Sequence, residues 1–344
     1  MRHPRCQPQV LPRVQADPFP VGDGLPAVLV AVFTAAVALA GCSASGPAED
    51  AGPARIVHTD QGDVSVPADP QRVVVLNYAL AGYLYDLDVP VVATVSEDSD
   101  KPGAFSGFWK DEAAADKTGL LPWSTDGFDY EAILAAEPDL IVAGGFGLPY
   151  PLAAKGYDRL SAIAPTVLVS NTLATWREQF GFLAKDVFGK PDIYDKSVAE
   201  YDKRVTEVKQ AITPPPGPVA YLTITADNSP YLLFENMGLP QTLAAVGLQP
   251  APLVQQNGLQ PYKPGGDMAE LSTEQVGRLV TTPTVFIAGF NADTTDVATL
   301  SKQPVYAKLP AFAGGHAYDL PYWTVRGDYD EAMALLDLVE KQFS

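Results

Sequence analysis

The chain has 344 residues, 47% of them hydrophobic and 19% charged, which is a globular composition with ample material for a core. Its formal charge of −18 argues against a nucleic-acid partner, whose phosphates need basic patches, and a multiply anionic ligand would need a local reversal of that charge. Three histidines and two cysteines, with no HExxH or paired CxxC, leave little for a naked zinc or manganese site, and no G-x-S-x-G, Walker A or G-x-G-x-x-G motif marks an enzyme.

Taken from the N-terminus, the first element is an apolar run at residues 25–40. It is too short to cross a bilayer, which takes about 20 residues, and has the length of a signal-peptide core. It closes on Leu39-Ala40-Gly41-Cys42, which resembles the lipobox of bacterial lipoproteins. That resemblance implies a signal peptide over residues 1–41, cleavage before Cys42, and lipid on its sulfur. The rest of the chain would then be extracytoplasmic, anchored to the outer face of the cell membrane. Cys6 leaves with the signal peptide, so the exported domain would hold no free thiol and no disulfide. Residues 42–55 are small, polar and Pro/Gly-containing, and read as a flexible tether.

A hairpin turning at Gln61-Gly62 follows, then a buried strand at 72–76, a helix at 79–87 and a strand at 89–95. The alternation continues with a helix at 131–136, a strand at 139–143, a helix at 157–163 and a strand at 166–169. Repeated β-α-β predicts an α/β N-terminal lobe over residues 56–172 with a mostly parallel sheet. Residues 173–188 read as one helix. Gly189-Lys190-Pro191 breaks it, and a longer helix runs to Ile212 with Val198, Tyr201, Val205, Val208 and Ile212 on one stripe. A proline run stops it, so residues 173–216 read as a connecting strut. The C-terminal lobe, 217–344, restarts the pattern with a strand at 219–224, helices at 240–246 and 272–279, a strand at 285–288 and a last helix at 328–342.

Two segments repeat across the strut. The stretch from Phe128, FDYEAILAAEPDLIVAGG, and that from Leu271, LSTEQVGRLVTTPTVFIAGF, share a capping residue, a glutamate two positions on, an amphipathic turn, a proline and a strand ending Ala-Gly. Asp129 and Ser272 are the expected N-caps, Ser272 with Gln275 as a capping box. Glu131 and Glu274 then occupy matching first-turn positions, where negative charge is favoured by the helix dipole in any case.

With P-A-D-P-Q-R-V-V-V-L (67–76), E-A-I-L-A-A-E-P-D-L-I-V (131–142), Y-D-R-L-S-A-I-A-P-T-V (157–167) and P-V-Y-A-K-L-P-A-F-A-G-G-H-A-Y (304–318) in this order, the chain resembles the class III solute-binding proteins of ABC importers, of the iron–siderophore and cobalamin type, over residues 56–343. The resemblance implies an α/β fold of two Rossmann-like lobes joined by a single long rigid helix, with the ligand cleft between the lobes. It also implies a monomeric binding protein that works with ABC permease subunits. Glu131 and Glu274, one per lobe, would meet arginines of the permease.

In such a fold the ligand meets loops at the C-terminal ends of strands. These loops place Asn77, Tyr78, Trp123, Phe146, Tyr150 and Asn171 in the first half as candidates, and Asp227, Asn228, Tyr231, Phe290, Asn291, Tyr322, Trp323 and Arg326 in the second. Aromatic walls with scattered polar groups suit a ferric siderophore, which wraps its own iron and asks for no cofactor or metal ligand from the protein. Arg326 is a candidate partner for the chelating oxygens, or a partner of Asp328 or Asp330. One arginine in so acidic a chain favours a neutral or cationic hydroxamate complex over an anionic catecholate. Haem or cobalamin is the alternative ligand, with His316 or a loop tyrosine as a haem ligand, although a turn is the commoner place for such a histidine. An extracytoplasmic enzyme or a structural surface lipoprotein is the reading from a different class. Trp176, on a helix with Phe180, reads as core.

Overall fold

The computed structural model describes residues 53–97, 103–264, 266–290 and 295–344; the expected signal peptide, Cys42, most of the expected tether and Asn291 lie outside them. A hairpin opens the domain, with β1 (Ala54–Thr59) antiparallel to β2 (Gly62–Pro67), turning where Gln61-Gly62 predicted. The first sheet then assembles from β3 (Val73–Val75), β4 (Val91–Val95) and β5 (Gly119–Leu121). Between them run α1 (Tyr78–Asp86) and α2 (Lys110–Asp116). A short ladder, β6 (Trp123–Ser124) with β7 (Gly127–Phe128), leads into α3 (Tyr130–Ala135). β8 (Leu140–Gly144) and β9 (Thr166–Val169) complete a five-stranded sheet in the order β5-β4-β3-β8-β9, parallel throughout. β3 and β8 are buried at every residue, as strands covered on both faces must be.

The expected helix at 173–188 is a short α4 (Trp176–Gly181) followed by a π turn over Phe182–Val187. The wider turn brings Leu183, Ala184 and Val187 all into the core. Pro191 starts α5 (Pro191–Ala211), 21 residues long, lying in sequence between the two sheets. Of its predicted stripe, Tyr201 and Val208 are fully covered, and Arg204 on its flank holds Asp337 and Glu340 of the last helix.

The second sheet has the order β12-β11-β10-β13-β14, with β10 (Val219–Ile224), β11 (Pro230–Leu233), β12 (Met268–Glu270), β13 (Thr284–Gly289) and β14 (Ala317–Leu320). Its parallel core is β10-β13-β14, while β11 and β12 add an antiparallel edge. That edge escapes the sequence pattern because two of its strands are only four and three residues long. α6 (Thr273–Leu279) precedes β13, and α7 (Tyr329–Phe343) ends the chain.

The inner faces of both sheets share one hydrophobic cluster. Val73, Val75 and Leu140 from the first sheet join Tyr221 and Phe286 from the second through Trp176, Phe180, Tyr201 and Leu335 on the helices between. The expected core role of Trp176 and Phe180 is met, with Trp176 packed on Tyr201 and Tyr329. The outer faces form two separate clusters.

Where α1 passes the start of α7 the helices touch at Gly82. A Cβ there would lie 1.7 Å from Asp328 Oδ2. Gly82→Ala is expected to cost about 1–3 kcal/mol by overpacking, despite the better helix propensity of alanine. Urea denaturation checks this, and an unchanged or higher stability would contradict the close approach.

Candidate functional site

A cavity of about 320 Å³ lies where the C-terminal ends of the two sheets face each other. From the first lobe come Tyr78 at the start of α1, Glu97 after β4, and the Phe105–Trp109 turn. From the second come Thr223 on β10, Phe290 after β13, Met268 on β12, and the 3₁₀ turn that carries Tyr322, Trp323 and Arg326. Trp323 meets Phe108 edge-on at 4.9 Å, and Trp109 stacks on Tyr85, so the aromatic walls are themselves braced by aromatic neighbours.

The guanidinium of Arg326 is held on three sides. Nε and Nη2 donate to Asp267 Oδ2 and Oδ1 at 2.6 and 2.9 Å, and Nη1 donates to the Tyr78 hydroxyl at 3.0 Å. Gly147, with φ +77°, lets the chain pass so close that a Cβ there would sit 2.9 Å from the guanidinium carbon. The two paired side chains are 10% and 8% exposed. Burial opposes the charge on Arg326, but Asp267, aided by Tyr78, more than offsets it and holds the group protonated. Burial likewise pushes the Tyr78 hydroxyl up. The structure therefore pairs Arg326 with Asp267, not with Asp328 or Asp330, and its charge is already balanced.

Five candidates come together on this cavity: Tyr78, Phe290, Tyr322, Trp323 and Arg326. Tyr231 stands just behind, its ring 5.2 Å from that of Phe290. The remaining candidates go elsewhere. Asn77 is fully buried and caps α1; its side-chain amide donates to the Gly144 and Phe146 carbonyls, so none of it faces the cavity. Trp123 covers the outer face of the first sheet, stacked on Phe128, with Nε1 donating to the Ser96 carbonyl. Phe146 is buried beside Leu233, Phe234 and Met237. Tyr150 turns to the hairpin, its hydroxyl 3.5 Å from Asp60. Asn228 sits at φ +67° in the exposed β10–β11 turn and accepts from Gln303. Asp227 beside it accepts from Thr225, and neither it nor Asn171 lines the cavity. His316 lies 3.2 Å from the Tyr318 hydroxyl, away from the cavity.

Glu97, Phe105, Trp109, Thr223, Met268 and Glu331 line the cavity without having been singled out in the sequence. The aromatic run Phe105–Trp109 was the one available signal. Among the described residues no group of three or more His, Cys, Asp or Glu is placed to hold a metal ion.

Glu131 and Glu274 are exposed in the first turns of α3 and α6. The expected caps hold them there: Asp129 accepts from the Glu131 and Ala132 amides, and Ser272 exchanges bonds with Gln275.

The profile of the periplasmic binding protein family matches residues 73–322. The chain belongs to this family. The ferric enterobactin-binding periplasmic protein FepB of Escherichia coli is 28% identical over 84% of this chain and 91% of its own length. The putative ABC transporter substrate-binding lipoprotein YhfQ of Bacillus subtilis is 27% identical over 92% of this chain and 97% of its own. Among solved structures, holo-ViuP superposes with a TM-score of 0.72 at 20% identity, covering 84% of this chain and 95% of that one, which shows the same two-lobed fold.

On α1, α2 and α7, Asp86 stands within electrostatic reach of Glu112, Asp328 and Asp330, and Asp328 within reach of Glu331. Burial, then the neighbouring Asp330, Asp328 and Glu112, pushes Asp86 up to about 8. A carboxyl whose pKa is raised by folding binds its proton more tightly in the folded chain. Its stabilising contribution is complete below the unfolded pKa of 3.8 and is lost as pH rises to about 8. The midpoint of thermal unfolding should therefore fall as pH rises through this window. Asp86→Asn should raise it by about 2–4 °C at pH 8.5 with little change at pH 4. Scanning calorimetry of both proteins across pH decides it, and equal pH profiles would contradict it.

Proposed function

We propose that this chain is the extracytoplasmic binding protein of an ABC importer, lipid-anchored through Cys42, that captures a ferric siderophore in the cleft and delivers it to the permease. It is a carrier and not an enzyme, and iron enters only inside the ligand. The observation that carries the reading is an aromatic cavity between two α/β lobes in a chain of the periplasmic binding protein family. The names of FepB and YhfQ support siderophore cargo and work with an ABC transporter. Among the described cavity residues the one cation, Arg326, is balanced by Asp267, which favours a neutral or cationic hydroxamate complex. A ferric enterobactin complex is the second reading, favoured by the name of FepB. Haem is a third reading only through the cavity tyrosines Tyr322 and Tyr78, the latter already accepting from Arg326, since His316 lies off the cavity.

Two of the four tryptophans, Trp109 and Trp323, line the cavity, so ligand should quench their fluorescence. Titration with ferric trihydroxamates, a ferric tris-catecholate, haemin and cobalamin is expected to give saturable quenching at micromolar or lower concentration with a trihydroxamate. Saturation by the catecholate or haemin alone would replace the ligand assignment.

Delivery rests on Glu131 and Glu274 as charge-assisted contacts for permease arginines, one on each lobe. The double variant Glu131→Ala, Glu274→Ala should bind ligand as the parent does yet lose about tenfold or more in cellular iron uptake. Normal uptake with normal binding would remove the docking role.

A further inference from the structure

We infer that the cleft selects a ferric complex bearing a cationic group, a protonated amine seated against the Glu331 carboxylate and the aromatic faces beside it. The inference rests on the siderophore reading above and assigns the charge class of that ligand.

Glu331 serves first as the N3 residue of a capping box: its Oε2 accepts from the Asp328 amide at 3.1 Å, and Asp328 accepts from the Glu331 amide at 3.0 Å. Capping does not require the charge. Gln275 does the same work in α6, where Ser272 is its partner. The glutamate of α4's box, Glu178, stands at the exposed surface, where its charge is solvated. In α7 both box members are carboxylates and both are buried, Asp328 2% and Glu331 9% exposed, and Glu331 forms part of the cavity wall. Burying two neighbouring carboxyls is costly unless something of opposite charge or a proton compensates. Burial first, and then Asp328, drives Glu331 well above the carboxylate range, with Glu97 of the opposite lobe adding to the effect. A ligand cation beside Glu331 would take the place of that proton as the compensating charge and leave a carboxylate paired with an ammonium.

The surroundings fit such a group. The other polar contact of Glu331 is the Ser106 hydroxyl at 3.3 Å, and a carboxylate has acceptor capacity for more. Phe105, Trp109, Tyr322 and Trp323 line the same space, and aromatic faces beside a carboxylate suit an ammonium. Independently, Thr223 Oγ1 on the cavity wall is fully buried and has no hydrogen-bond partner among the described residues, which marks a position for a polar ligand atom.

The test uses two ferric trihydroxamates identical except that one ends in a free primary amine and the other in its N-acetyl derivative. Tryptophan quenching at pH 7 and fixed ionic strength gives Kd for both. The amine complex should bind the unaltered chain about tenfold tighter. Glu331→Gln, which keeps an acceptor for the cap, should bring the ratio close to one. The comparison on the unaltered chain holds whether or not the variant folds. Equal or reversed affinities on the unaltered chain, or an undiminished ratio in a folded Glu331→Gln, overturn the inference alone. If neither complex binds, the hydroxamate reading fails and the inference with it.

Discussion

A guanidinium taken out of water costs several kcal/mol unless a partner meets it in good geometry, and much of the cleft is arranged around meeting that need for Arg326. Asp267, immediately before β12, accepts two hydrogen bonds from it within the second lobe. Tyr78, the first residue of α1, supplies the third contact from the first lobe, and Gly147 clears the space the group occupies. Removing one partner would leave a buried charge unpaired, so the pair fixes the β12 edge, the 3₁₀ turn and the start of α1 against one another.

That pairing has an electrostatic consequence. The basic residue that would ordinarily draw an anionic chelate into the cleft is already satisfied within the protein. What the described walls then present is aromatic surface and carboxylates, Glu97 from one lobe and Glu331 from the other. The acidic balance of the whole chain, −18, thus continues into the cavity walls.

The fold was readable because its determinants are local. Fully apolar strands, Pro191 at a helix start, the proline run before β10 and the caps Asp129 and Ser272 all act within a few residues of where they stand. The site was readable only in part. Tyr78, Phe290, Tyr322, Trp323 and Arg326 follow from their place after strands. Asn77 and Trp123 share that place but meet other needs of a strand end, capping the next helix and covering the sheet's outer face. Asp267, Thr223 and Glu331 matter through partners or surroundings far away in sequence, Arg326 lying 59 residues from Asp267 and Ser106 lying 225 from Glu331. No local pattern encodes such contacts.

The single hydrophobic cluster shared by the inner faces of both sheets bears on how the domain melts. Independent cores would let each lobe unfold at its own temperature. Here Tyr221 and Phe286 belong to the same packed body as Val73 and Leu140, so losing one lobe exposes the other's apolar surface. The two halves are then one cooperative thermodynamic unit, and a ligand that touches only loop ends lends its binding free energy to the whole.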